Sequence, residues 1–268
     1  MKIQRLLLQL IIISSIFMLI MPNNTFAEKD KKVTGEIELP SSVINIEKEN
    51  TVPNQAENKP FLKPSEFTKE LIESANEKIE NPHLIRILNE SAINSSLLSV
   101  GMRATIYLGE YPLNYKSEET TPNWQYQKVN TNVHDNMAGN VNSRMNYVQQ
   151  VQKRVTGGLT AKVPHAEDVQ NMILLKAMEK TKLPLMTQTI IGAGTKHNQV
   201  YNIHPKKVGY LHAYVPAIVE KGEATYGEVY LVIKGTKRKI VVKNVTSQKV
   251  GAWLPIQNHL TFTFHVTP

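Results

Sequence analysis

The sequence predicts an α+β domain in which about three helices cover a largely antiparallel β-sheet. Long stretches alternate apolar and polar residues with period two. In the last of them Leu260, Phe262, Phe264 and Val266 oppose His259, Thr261, Thr263 and His265. Three other stretches carry helix-start signals, at Ser65, Asn81 and Pro164, followed by apolar residues three and four apart. The tetrapeptide Lys234-Gly235-Thr236-Lys237 then joins two alternating runs by a tight hairpin, which makes that pair antiparallel.

In chain order, Lys2 and Arg5 precede an apolar run from Leu6 to Met21, and Pro22–Ala27 ends with Thr25 and Ala27 at the −3 and −1 positions of a cleavage site. This is the pattern of a secretory signal, and the run is shorter than the roughly 20 residues of a spanning helix. The expected organisation is a signal peptide over 1–27, an extended N-terminal segment and linker over 28–64, and a single α+β domain over 65–268. The chain is expected to be exported, to the extracellular or membrane–wall space. Its membrane contact is the signal segment, if that stays uncleaved as an anchor; Gln9, Ser14 and Ser15 inside the run favour cleavage.

Val33–Leu39 alternates and Ser42–Ile46 is β-branched, which predicts two short strands at sheet edges. Pro53, Pro60 and Pro64 mark 49–64 as a connector. Ser65 caps a first helix whose Phe67, Leu71, Ile72, Ala75 and Ile79 share a face, with Glu66 in the first turn where the helix dipole favours an acid. Asn81-Pro82 opens a second helix, with Leu84, Ile87 and Leu88 as its buried side. Strands follow at 100–108, 124–133 and 144–155, the last two drawn as a hairpin around Asn136–Asn140, with 147–154 alternatively helical. A third helix runs from Ala166 to about Thr181, and Pro184 ends it. The remainder reads as strands at 186–191, 208–219, 226–234, 238–245 and 259–266.

The absence of cysteine excludes disulfides, thiolate metal sites, a cysteine nucleophile and a lipid-anchored cysteine. A mature chain of this size buries roughly 70% of its unfolded surface and needs no staple. Charge is unevenly spread: 31 Lys+Arg stand against 23 Asp+Glu, yet no acidic residue follows Glu228. The basic run holds Lys234, Lys237, Arg238, Lys239 and Lys243, candidates for binding a polyanion. Outside the cell the available polyanions are wall phosphate polymers and lipid headgroups; the expected partner is an anionic wall polymer, with an envelope protein as the alternative and nucleic acid excluded by location. The ordinary role of such lysines is to solvate a sheet face and protect its edges.

Signatures of serine hydrolases, zincins, penicillin-binding enzymes and nucleotide-binding loops do not occur, so no cofactor is expected. Gly192-Ala193-Gly194-Thr195-Lys196 faintly resembles a phosphate cradle but lacks its ending, and reads as a glycine turn leaving a strand. His134 and Asp135, and His165 with Glu167 and Asp168, pair imidazole with carboxylate in no known metal spacing, so no metal site is expected. His259 and His265 lie about 20 Å apart along one strand, too far to share an ion. Tyr210, His212 and Tyr214 line one strand face and form a candidate ligand platform. The leading expectation is a non-catalytic binding protein; the alternative is an envelope hydrolase that gathers His134, Asp135, His165 or Glu167.

The blocks Ser42–Ile46, Lys78–Pro82, Gly158–Lys162, Ile191–Thr195, Gly227–Val232 and Lys243–Gln248 resemble those of the YfkD-like family. The resemblance spans nearly the whole mature chain and implies an exported protein of a Gram-positive envelope. It implies no mechanism and no catalytic residues.

Overall fold

The computed structural model describes residues 37–54, 63–91 and 103–268. The expected signal segment 1–27 and the start of the expected strand at Val33 lie outside them. Strand outweighs helix, at 55% against 15%, so the α+β domain is mostly β.

Its frame is a pair of very long antiparallel strands, β2 (Arg103–Asp135) and β8 (Val208–Lys234), registered from Arg103 opposite Lys234 to Asp135 opposite Val208. Extended, the 27 residues of β8 span about 90 Å. The 33 residues of β2 match them because five register shifts, at Tyr107/Gly109, Pro112/Asn114, Ser117/Glu119, Asn123/Gln127 and Lys128/Asn130, place extra residues on β2. Such bulges bend a strand and increase its twist, which lets so long a ribbon curve. On its other side β8 pairs with β9 (Lys237–Pro255) and β10 (His259–Thr267). β1 (Val43–Asn45) adds to β10, and β5 (Gly158–Leu159) adds to β9. Two small ribbons complete the strands: β3 (Ser143–Val148) with β7 (Lys196–Ile203), and β4 (Lys153–Thr156) with β6 (Gln188–Ile191).

Three expectations change here. Of the expected strand 100–108 the described part, 103–108, belongs to one strand with 124–133, because among the described residues β2 uses β8 alone as its ladder partner and an edge strand tolerates Pro112 and Pro122. Residues 208–219 and 226–234 likewise form one strand. Finally, β2 and β3 make no hairpin, since each pairs with a later strand, and the expected strand 144–155 is split into β3 and β4 by a bend at Val151, with no helix over 147–154.

Three cores are strung along the ribbon. The buried positions of β8 are Leu211, Ala213 and Val215, then Ile218, Ala224 and Tyr226, then Val229, Leu231 and Ile233. Since strand side chains alternate strictly, the buried parity changes twice. Helix α1 (Glu66–Glu73), capped by Ser65, and α2 (Pro82–Glu90), capped by Asn81, cover the third group with Leu71, Leu84 and Leu88. Helix α3 (Ala166–Thr181) covers the middle group with Val169, Met172, Ile173 and Ala177. The first group packs against the small ribbons through Met145, Tyr147, Val155, Ile191 and Ile203.

Side chains tie the edges. Asn76 accepts the Val242 N–H at 2.8 Å and returns an N–H to the Val242 carbonyl at 3.0 Å, while the Ser74 hydroxyl accepts the Ile240 N–H at 3.1 Å. The segment after β1 is held similarly: Asn54 exchanges two hydrogen bonds with Ile190, both at 2.8 Å, and Asn50 accepts the Gly192 N–H at 2.9 Å. A Cβ on Gly192 would lie 2.1 Å from Thr51 Oγ1 and 2.8 Å from the Val52 nitrogen, so this turn needs glycine.

Candidate functional site

Gly235 and Thr236 form the two-residue turn between β8 and β9, with Gly235 at a φ of 61° that other residues adopt reluctantly. Directly opposed residues of neighbouring strands share a face. Lys234 opposes both Lys237 and Arg103, Val232 opposes Lys239, and Glu228 opposes Lys243. Arg103, Lys234, Lys237, Lys239 and Lys243 therefore project from the same side of the tip. The other side is the core under α1 and α2, so the charged side is left to solvent.

Aromatic rings interleave these cations. Tyr107 is 55% exposed and its ring lies 5.1 Å from that of Tyr230; Lys243 Nζ sits 4.9 Å over the Tyr230 ring. The Tyr230 hydroxyl donates to Glu228 at 2.6 Å. That bond, then one from Asn244, then the charge of Lys243 hold the Glu228 carboxyl below the usual range, and the same bond raises the Tyr230 hydroxyl. Glu228 is held as a carboxylate by these partners, and Glu110 opposes it in the same row, so the acids on this face stand at the Lys243 row rather than beside Arg103, Lys234, Lys237 and Lys239. Among the described residues no ion pair occupies Arg103, Lys234, Lys237 or Lys239. Arg238 stands apart from the expected set: it opposes Ile233, hence points to the helix side, and donates Nη1–H to the Thr236 carbonyl at 3.1 Å. Arg103 takes its place on the charged face, brought there by a strand 131 positions earlier.

Tyr210, His212 and Tyr214 share one side of β8 as expected, toward its opposite end; His212 and Lys234 are 22 positions, about 70 Å of strand, apart. The structure adds His265 and Lys128 to them. Tyr210 stacks on His265 at 5.1 Å with rings 10° from parallel, His212 lies 5.0 Å from His265, and Lys128 Nζ is 5.5 Å from the Tyr214 ring centre. The rings spend faces on one another instead of forming a flat platform. Burial, then Lys128, then His265 lower the His212 imidazole.

The histidine–carboxylate candidates stay separate. His134 accompanies Gly209 in the ladder and bonds Ser143 at 2.6 Å, while Asp135 accepts the Met137 N–H at 2.8 Å. His165 starts α3 with its ring 5.9 Å from Tyr111, which pairs with Gly227. Gly209 and Gly227 are 18 positions apart, about 60 Å of strand, so these residues form no common centre. Asp168 instead meets His83 at 3.0 Å. His259 is buried and bonds the Gln257 carbonyl at 2.7 Å. The Gly192–Lys196 loop spends its amides on Asn50, on the Gln149 carbonyl and on its own turn.

A cleft of about 680 Å³ opens between the α1–α2 pair and α3. Ile72, Ile79, Met172 and Leu175 supply its apolar walls, and the rim charges Lys78, Glu80, Lys176 and Glu179 pair with one another. Tyr115 on its floor is pushed far above its usual value by burial, then by the charges of Glu220 and Glu118. Glu220 itself is fully buried, and burial raises its carboxyl despite Ser117, Thr120 and Lys180.

Residues 40–268 match the model of the YfkD-like protein family. A relative from Bacillus subtilis (strain 168), "Uncharacterized protein YfkD", is 58% identical over 232 residues, covering 87% of this chain and 88% of the relative. Among solved structures, the lamprey immune protein aligns over 62% of this chain and 54% of its own, with 6% identity and a TM-score of 0.25, a likeness too low to carry an argument.

Proposed function

We infer the role of this chain from two premises, that it belongs to the YfkD-like family and that the tip of its ribbon carries an acid-poor basic face; together they support an exported, non-catalytic envelope protein that binds an anionic, phosphate-bearing wall polymer. The single observation behind the reading is the shared face of Arg103, Lys234, Lys237, Lys239 and Lys243, with cross-strand neighbours about 5 Å apart. Lysines spaced in this way meet successive phosphates of a flexible chain as point charges, without demanding one geometry. Tyr107 and Tyr230 give the repeat units between phosphates an apolar surface. The signal pattern of 1–27 supports an extracytoplasmic location.

The test is co-sedimentation of the chain from Glu28 onward with isolated Gram-positive walls, before and after the anionic polymers are stripped. Binding that is lost on stripping and weakened by salt supports the reading. Equal binding to stripped walls, or full binding after Lys234, Lys237, Lys239 and Lys243 are all changed to Gln, contradicts it.

A further inference from the structure

The opposite end of the ribbon holds a second set of cations. From the placement of Lys128, His212 and His265 on one side of β2, β8 and β10, we propose that this face binds a phosphate-bearing anion, and binds it more tightly in acid.

The register builds the site. Lys128 opposes Tyr214, Thr131 opposes His212, and His265 opposes Tyr210, so all project from one side while Leu211, Ala213 and Val215 fill the core on the other. Thr131 Oγ1 lies 2.9 Å from His212 Nδ1, which fixes the ring and leaves Nε2 as its outward nitrogen. His265 is exposed beside it, at 5.0 Å between ring centres. The titratable and charged groups facing this pair are Lys128 and Asp135 from β2, Tyr210 and Tyr214 from β8, and each other. Asp135 lies one row beyond Tyr210 and His265, level with Val208, and its carboxylate already accepts the Met137 N–H.

Histidine is the side chain whose charge ordinarily changes between about pH 5 and 8. Where both rings carry a proton, two imidazolium charges stand within two rows of the ladder and repel each other and Lys128. A phosphate oxygen seated above them relieves that repulsion and accepts from Nε2–H and Nζ–H. Linkage then requires the anion to raise the proton affinity of both imidazoles. None of these residues belongs to the tip, so this site stands or falls independently of the wall-polymer reading.

The experiment uses the exported chain with the four tip lysines changed to Gln, and inorganic tripolyphosphate as probe. Calorimetry at pH 5.5 and 8.0 is expected to show binding at least about fivefold tighter in acid. Histidine C–H resonances of the unmodified chain are expected to titrate at higher pH with the probe than without it, for both His212 and His265. His212→Gln and His265→Gln should each reduce the pH dependence, and Lys128→Gln should weaken binding at both pH values. Equal affinity at the two pH values, or histidine titrations that ignore the probe, would overturn the proposal even if a variant proved unstable.

Discussion

Lys234 and Lys237 face each other across the Gly235-Thr236 turn, and Arg103 stands on the other side of Lys234. Three cations in one row of a sheet repel, and the chain maintains them with no ion pair to relieve the row among the described residues. Stability alone would favour a carboxylate in that row; under the proposed reading an anion from outside supplies the missing charge.

Changing Glu220 to Gln is expected to stabilise the fold at neutral pH. The carboxyl is fully buried, Thr120 donates to one oxygen at 2.6 Å, and among the described residues the other oxygen has no partner within hydrogen-bond distance, Ser117 reaching the group only weakly. Its proton affinity is raised in the fold, so the native state holds the proton more firmly than the unfolded chain does. Stability linked to this group is present at low pH and lost as pH rises through its folded value. The gain in Glu220→Gln should be present at pH 7.5 and vanish toward pH 4, read by denaturant melts across that range.

Asn76 closes the β9 edge with two hydrogen bonds to Val242. Asn76→Ala leaves both backbone groups without those partners and should cost roughly 1–3 kcal/mol. For a chain of this length the melting temperature should fall by about 2–4 °C per kcal/mol. An unchanged melting curve would show that water replaces the asparagine at no cost.

His212 has the opposite sign to Glu220. Its proton affinity is lowered in the fold, so the unfolded chain binds the proton more readily. Without an anion, stability should fall as pH drops below about 6.5, the unfolded value, and level off below the folded one. His212→Gln should flatten that part of the profile, and tripolyphosphate should oppose the fall in the parent protein.

Local signals made the helix starts legible: Ser65 and Asn81 cap where expected, and α3 spans Ala166–Thr181, although α1 ends at Glu73 and leaves Ala75 and Ile79, expected on its face, in the segment that follows. The long strands were harder. Pro112 and Pro122 usually end a strand, but β2 keeps an edge free of a second ladder and absorbs its extra residues in bulges. In β8 the buried side changes between Val215 and Ile218 and again between Tyr226 and Val229, and a phase break looks like a turn in one dimension. The basic hairpin and the Tyr210–His212–Tyr214 face were readable as runs and alternations. Their completing members were not: Arg103, Lys128 and His265 reach them only through long-range register.

The most direct measurement of the tip is the salt dependence of binding to a purified phosphate-bearing wall polymer. With four or five cations engaged, log K should fall against log salt with a slope of about −3, and the variant lacking the four tip lysines should show a slope near −1 at most. A parent slope as shallow as the variant's, with affinity retained, would contradict a polyanion-binding tip.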